Sequence, residues 1–361
     1  MLVYIAVFLL VLALGFYVSE RKKTASLQSK KSDSHLFVFL ILLIFIGVTG
    51  FRGVGADFNN YVRLYNNQKN SSFADLWESI ITFKDPGYRL ICIISKWIYD
   101  SPITMFMICG VLTIVPIIIV MYKETDNFAF SIVLYTLLVW VDSFGAIRQA
   151  VASAFIVLGL PYLKKQKFCK YCLCVIAATM FHVTALVMLP VYFVLTRRMS
   201  FKNTLLIIVV SVVLRYSYDF IFEILNVYKG KDITEYSYMT SDVNIFRVLV
   251  SFAPILLFFF VPKNKMKRTE VGGNSLRLID ISMNIVLVNA ALMFATMSST
   301  YLARVSIYLV AFFPITIPEI IKVYDKKSYG FIVAIMTVLY FLYWLYGIHA
   351  QGLEYMTIFQ R

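Results

Sequence analysis

Apolar runs, each about 16 to 20 residues long, recur along the whole 361-residue chain, and a helix of that length crosses a hydrocarbon core about 30 Å thick. Strands of a transmembrane barrel would alternate apolar and polar residues, whereas these runs are apolar on all sides. The pattern therefore predicts an all-α fold, a polytopic transmembrane helical bundle.

Composition limits the classes of protein to which the chain can belong. Hydrophobic residues make up 60% of the chain and charged residues 15%. Soluble domains average about 45–50% apolar residues and about 25% charged residues. These values exclude a soluble enzyme, a disordered protein and a nucleic-acid-binding domain, so we expect no nucleic-acid partner. The net charge of +14 is instead an orientation signal for a membrane protein. We predict a single integral membrane domain over residues 1–361.

The predicted membrane segments number about 10–12 when short or re-entrant helices are included. The full spans are 2–18, 36–51, 102–121, 128–144, 148–163, 204–222, 246–261, 278–297, 304–322 and 329–347. Two further apolar segments, 86–99 and 171–196, are short or ambiguous.

Most of the 34 basic residues lie in a few loops, and basic loops stay in the cytoplasm. These loops are 19–35, 164–170, 197–203, 262–277 and 322–327. The outer loops are then 52–101 and 223–245. Both flanks of 171–196 are basic, so we predict a hairpin of two half-helices that meets near residues 181–184. The segment 86–99 is interpreted as a re-entrant or interfacial helix.

Arginines stand where the predicted spans meet the outer face. Arg52, Arg148 and Arg304 each lie at such a boundary, and a guanidinium grips phosphate at two points. Gln149 follows Arg148 at the start of a span and is a candidate hydrogen-bond donor. We interpret these side chains together as a site for an anionic headgroup. The alternative is that each arginine only extends its charged end from the membrane into the interfacial water.

Three residues are candidates for transferring a proton, for holding another side chain in place or for binding a ligand. His182 lies midway along an apolar run, where a titratable group favours a functional role over a core histidine. It is a candidate general base or a hydrogen-bond partner of a leaving phosphate. Asp57 is either a general base or the partner that holds Arg52 in a turn. Asp85 precedes Pro86 and is either a ligand or a helix N-cap.

Aromatic residues in the first outer loop have two interpretations. In the first interpretation they stack on sugar rings, and in the second they belong to an interfacial aromatic belt. The residues are Tyr61, Tyr65 and Trp77. Tyr88 is a further candidate substrate contact. The outer acidic residues are scattered without a DxD-like pair, so we expect no metal and no cofactor.

Five ordered pieces resemble the EpsG family of Wzy-type exopolysaccharide and capsule polymerases. They are FRGVGADFNNY at 51–61, DPGY at 85–88, IRQAVASA at 147–154, FHVTALVMLP at 181–190 and YLARVSIYL at 301–309. The family pattern is an Arg and Gly-x-Asp, an acidic turn, Arg-Gln, His-x-Ser/Thr-Ala and a late Arg. Asp85 stands where many relatives carry Glu, Thr184 stands where Ser is common, and Arg304 is the loosest match.

The resemblance implies a metal-independent, GT-C-like glycosyltransferase of the bacterial cytoplasmic membrane. It would join oligosaccharide repeat units carried on undecaprenyl diphosphate, at the outer face. A flippase and a chain-length regulator of the same pathway are candidate partners, besides membrane lipid. Arg52, Arg148 and Arg304, with Gln149, would bind the diphosphate, and His182 or Asp57 would be the base.

Other classes remain as alternatives. A lipid-linked oligosaccharide flippase would need polar groups along both halves of its pathway. A ligase would carry a larger outer loop late in the chain. A structural membrane component would leave the arginines and His182 without a role.

Overall fold

The computed structural model describes residues 1–27, 34–68, 76–78, 81–82, 85–217, 220, 223–224, 241–259 and 277–360. Every regular element in these ranges is a helix. The one β-type contact among them is an isolated bridge between Arg52 and Thr357. The predicted all-α membrane fold is therefore confirmed.

The α-helices are numbered in chain order. The first eight are α1 (Leu2–Leu27), α2 (His35–Gly50), α3 (Phe58–Asn67), α4 (Pro86–Ile98), α5 (Pro102–Glu124), α6 (Phe128–Tyr135), α7 (Ile147–Leu158) and α8 (Leu160–Lys164). The others are α9 (Phe168–Thr179), α10 (Met188–Leu195), α11 (Phe201–Tyr216), α12 (Ile245–Phe252), α13 (Leu256–Phe259), α14 (Leu278–Thr296), α15 (Ile307–Val310), α16 (Phe313–Ile321) and α17 (Lys326–Ala350).

Four described helices, α1, α5, α14 and α17, are long and apolar enough to cross a membrane alone. The predicted span 304–322 is instead a broken one. Its two halves, Leu302–Val310 and Phe313–Ile321, are bent by 58°, and Pro314 lies in the first turn of the second half. Proline suits a first helical turn but cannot continue the preceding helix, which explains the break.

Loops that are predicted to be cytoplasmic meet at one end of the bundle, called here the basic end. Lys22 donates to the carbonyl oxygens of Tyr122 and Thr125, at 2.6 Å each. Lys164 lies 2.7 Å from Glu124, and Lys322 lies 2.8 Å from Asp126. These contacts bring loops from four parts of the chain together, as the orientation model requires. That this end faces the cytoplasm stays a prediction.

The segment 171–196 forms the predicted hairpin. Helix α9 ends at Thr179, and the chain continues as a 3-10 turn, Val183–Val187, and α10. The Phe168 ring at the start of α9 contacts the Tyr192 ring near the end of α10, with centroids 4.9 Å apart. The chain therefore doubles back, and the turn at 180–182 lies at the end opposite the basic loops, called here the distal end.

The predicted outer loop 52–101 contains two helices that cover the distal end. Helices α3 and α4 pack over the start of α5 and bury aromatic side chains there. Phe58, Tyr61, Tyr65, Tyr88 and Phe106 are each exposed by 4% or less. Such burial stabilises by about 1.5–3 kcal/mol per large side chain, so α3 and α4 are held as a fixed layer. The predicted loops 223–245 and 262–277 lie almost entirely outside the described residues.

Candidate active site at the distal end of the bundle

Asp85 joins the two most distinctive predicted residues. A terminal nitrogen of Arg148 donates to Oδ2 of Asp85. The other carboxylate oxygen, Oδ1, lies 3.6 Å from Nδ1 of His182. The three side chains are 15%, 29% and 20% exposed for Asp85, Arg148 and His182, so they are accessible yet partly removed from water. A carboxylate beside an imidazole and a guanidinium is an arrangement suited to proton transfer next to an anion.

Backbone contacts explain why Asp85 and His182 meet. Asp85 has left-handed backbone angles (φ 48°, ψ 58°) and precedes Pro86, which opens α4. The Gly87 amide then donates to the Met180 carbonyl at 2.7 Å. A Cβ atom at residue 87 would lie 2.9 Å from that same oxygen. Glycine is therefore required for the 85–88 turn to dock directly on the 180–182 turn.

Two tyrosines hold the Arg148 guanidinium. Its central carbon lies 5.7 Å from the Tyr61 ring centroid and 5.9 Å from the Tyr88 ring centroid, which is within the range of cation–π attraction. Burial raises the pKa of Tyr61 above its ordinary value, although Arg148 acts in the opposite direction. The phenol therefore stays neutral and leaves the arginine's charge available to a ligand. The Tyr61, Tyr65 and Tyr88 rings are buried, whereas Trp77 is exposed. That any of these rings stacks on a sugar stays a prediction.

Gln149 is joined to this cluster through Tyr308. The Tyr308 hydroxyl hydrogen-bonds to Thr184, two residues after His182, at 2.8 Å, and it lies close to the Gln149 amide. The structure thus brings Gln149 toward the Arg148–Asp85–His182 cluster.

Asp57 pairs with Arg304. Its Oδ2 atom lies 3.8 Å from a terminal nitrogen of Arg304. The loop that carries it is fixed by Gly55, which has a φ of 144° and whose Cβ, if present, would lie 2.6 Å from the Phe144 carbonyl oxygen. The alternative in which Asp57 holds Arg52 in a turn is therefore wrong, because Asp57 faces the late arginine.

Arg52 occupies a separate, buried position. Its side chain is 1% exposed, and its guanidinium lies between the Phe106 and Phe144 rings, 4.6 and 4.5 Å from their centroids. It donates to the Thr49 carbonyl oxygen. The structure does not bring Arg52 together with Arg148 and Arg304, so its contact with a diphosphate stays a prediction without support from this geometry.

A polar cavity of about 380 Å³ opens beside the Asp57–Arg304 pair. Its walls also carry Asp142, Arg247 and Tyr343. The same three residues line a smaller inner cavity of about 60 Å³ that reaches the small polar side chains of α7 and α12. We call the two together the polar cavity. Two arginines and two aspartates line it.

Asp142 and Arg247 were not among the residues predicted for the site. Asp142 opens a 3-10 turn, Asp142–Phe144, and it interacts electrostatically with Arg247 across the cavity. A terminal nitrogen of Arg247 also donates to the Ala303 carbonyl at 3.3 Å, directly beside Arg304. The sequence does contain a signal that points to Arg247. Arg247 and Ser251 are four residues apart, which places both on one face of an otherwise apolar helix.

Within the described ranges, His, Cys, Asp and Glu side chains form no group of three that could hold a metal ion. Metal independence of any activity stays a prediction, since this finding covers only part of the chain.

Fold and site together define a polytopic helical membrane protein with an arginine-lined polar cavity at one end. The model of the EpsG family matches residues 35–359. The chain therefore belongs to the EpsG family, a family of polysaccharide-polymerase-like membrane proteins. Searches of curated proteins and of solved structures each returned no match, so the expected likeness to GT-C transferases stays a prediction.

Proposed function

We propose that this protein is a glycosyltransferase that joins lipid-diphosphate-linked oligosaccharide repeat units into a polysaccharide. The carrier is undecaprenyl diphosphate, and the reaction takes place at the outer face of the bacterial cytoplasmic membrane. The observation that carries the proposal is the contact of one carboxylate, Asp85, with both Arg148 and His182. Family membership supports the coarser statement, a polymerase-like membrane protein.

The reaction needs a base and an anion site close together. A hydroxyl of the acceptor unit attacks the anomeric carbon of the donor chain. The new O–C bond forms as the bond between that carbon and the diphosphate oxygen breaks, and the diphosphate leaves with the electron pair. His182 takes the hydroxyl proton. A positioned base contributes about 10²–10⁴-fold in rate, and direct displacement inverts the configuration at the anomeric carbon.

Asp85 is the positioning residue for this base. Its distance of 3.6 Å from Nδ1 of His182 keeps a negative charge beside the imidazole, which stabilises the imidazolium formed by proton transfer. Asp57, the other candidate base, already faces Arg304. We therefore assign the base role to His182 and leave Asp57 to hold Arg304.

The arginines stabilise the leaving diphosphate. Arg148 uses one terminal nitrogen for Asp85 and has further N–H groups for a phosphate oxygen. Arg304 is 40% exposed, so it reaches a ligand in the polar cavity. Donors aimed at developing negative charge usually supply the largest part of a catalytic effect. Gln149, beside Tyr308, is a further hydrogen-bond donor for the diphosphate.

Deletion of the gene tests the proposal. Cells that lack this polymerase should lose the long polysaccharide and accumulate a single-repeat lipid-linked saccharide at the outer face. Wild-type protein should restore the polymer, and the matched variants Arg63→Ala and His349→Ala should restore it too, because both side chains are exposed. Accumulation at the inner face would contradict the proposal and favour a flippase.

A further inference from the structure

An apolar gap between α12 and α17 opens at the surface of the bundle and borders the polar cavity. Its volume is about 370 Å³, and its walls include Leu249, Val250, Leu342, Tyr343 and Tyr346. Leu249 and Leu342 are 57% and 56% exposed. In a membrane-spanning bundle these side chains face the hydrocarbon core of the bilayer, so the gap opens sideways toward lipid.

The gap and the polar cavity share wall side chains and therefore border each other. Val250 lines both the gap and the inner cavity. Tyr343 lines the gap and both parts of the polar cavity, and Tyr346 lines the gap and its outer part. Arg247 lies three residues before Val250, one turn along the same helix, and points its guanidinium toward Ala303. One turn of α12 therefore separates a hydrocarbon-lined surface from a cationic one.

Two contacts link the start of α12 to α17 beside the gap. The Asn244 amide donates to the Tyr346 hydroxyl at 3.0 Å, and the Phe246 and Tyr346 rings lie 4.8 Å apart. These contacts hold the two walls of the gap together at the start of α12.

We infer that the gap between α12 and α17 holds the hydrocarbon tail of a lipid diphosphate whose headgroup occupies the polar cavity. This inference rests on the proposed function for the identity of the substrate. The placement of charge supports this occupant: Arg304, a proposed diphosphate ligand, and Arg247 line the polar cavity next to the gap, whereas apolar side chains line the gap itself. A single hydrocarbon chain attached to a charged head matches an apolar gap beside a cavity with charged walls.

A larger apolar groove is the main competitor for this role. It lies among α11, α12, α13 and α14 and has a volume of about 1120 Å³. Its described walls share no residue with the polar cavity. The groove shares Leu249 and Ala253 with the gap, so a tail in the groove would reach the arginines only by way of the gap. The gap borders the polar cavity directly, and this favours the gap over the larger groove.

Photolabelling of the purified protein in lipid nanodiscs tests the inference. The probe is undecaprenyl diphosphate with a diazirine on its hydrocarbon chain, and the control ligand without a tail is inorganic diphosphate. We expect labels on α12 and α17. Leu342 lines the gap and not the polar cavity. Leu342→Trp, which fills the gap, should weaken binding of the long-chain probe by about tenfold or more, because excluding about two buried methylene groups changes an affinity by that factor. Binding of inorganic diphosphate should stay unchanged.

Val338→Trp is the matched control, because Val338 is 57% exposed on α17 and does not line the gap. In a second variant, Leu249→Cys with Leu342→Cys, a reversible bifunctional thiol reagent crosslinks the two new cysteines and so closes the gap. Labelling should fall on closure and return on reduction, which shows that the protein is folded. Wild-type protein treated with the same reagent controls for its five native cysteines.

Labels on α11 and α14, or unchanged long-chain binding in Leu342→Trp, would overturn the inference. The proposed function fails separately, through polymer synthesis that persists in His182→Ala. Labelling does not depend on turnover, so the tail site and the polymerase activity are tested independently.

Discussion

Nδ1 of His182 lies 3.6 Å from Oδ1 of Asp85, although Asp85 precedes α4 and His182 follows α9, almost a hundred residues later in the chain. The same carboxylate accepts a hydrogen bond from Arg148. One acidic residue thus connects the proposed base with the proposed anion ligand, and the predictions below separate their contributions.

Chain extension should require the planar guanidinium group of Arg148 and not only its positive charge. We expect Arg148→Ala to abolish chain extension while the protein still inserts, and Arg148→Lys to retain a small fraction of activity, because lysine keeps the charge but loses two-point contact with phosphate. Polymer length on gels and membrane abundance of each variant check this. Wild-type chain lengths in Arg148→Ala, alongside an unaffected Arg63→Ala control, would remove Arg148 from the site.

The Asp57–Arg304 pair should matter for activity more than for stability. The two side chains are 34% and 40% exposed, and exposed pairs contribute only about 0–1 kcal/mol. We expect Arg304→Asp to lower activity strongly with a small change in melting temperature. Reversal of both residues, Asp57→Arg with Arg304→Asp, should restore the pair without restoring activity. Full recovery of polymer in the reversed protein would show that the pair is only structural.

Gly87 should be essential for the position of Asp85. In Gly87→Ala the new Cβ would meet the Met180 carbonyl oxygen at 2.9 Å, and the 85–88 turn would move away from His182. We predict a loss of polymer with normal membrane abundance. Gly330→Ala is the matched control, since a Cβ there meets nothing within 4 Å. Equal activity of the two alanine variants would contradict the docking of these turns.

The start of α17 should contribute an acid-sensitive part of stability. The Ser328 hydroxyl and the Ser328 and Lys327 amides donate to Asp325 and hold the pKa of its carboxyl below the ordinary value. This stabilisation is complete above the pKa of the unfolded chain and is lost as pH falls through the lower folded pKa. The melting temperatures of wild type and Asp325→Ala should therefore differ at neutral pH and converge in strong acid. A difference that persists in strong acid would exclude this cap.

Much of the fold was predictable because bilayers impose strong constraints. Apolar length identified most helices, and the basic flanks of 171–196 required the chain to double back, which the contact of Phe168 with Tyr192 confirms. The break within 304–322 was missed because length and apolarity alone do not report where a proline interrupts hydrogen bonding.

The site was predictable only in part. Charge at span ends singled out Arg148 and Arg304, and membrane depth singled out His182. The structure places Arg148 and His182 around Asp85, and the roles of all three residues stay predictions. The pairing of Asp57 with Arg304 and the burial of Arg52 depend on how distant segments pack, which one sequence does not reveal. Arg247 was overlooked as a site residue because the cavity that it lines exists only when α12 packs beside α15 and α17.

The most direct measurement is single-turnover chain extension by the purified protein in nanodiscs, comparing wild type, His182→Ala and Asp85→Asn with lipid-linked repeat units isolated from the deletion strain. The account predicts that His182→Ala lowers the rate by about 10²-fold or more, and that Asp85→Asn lowers kcat with little change in donor KM. The exposed control His349→Ala should match wild type. Extension at the wild-type rate by His182→Ala would contradict the central claim.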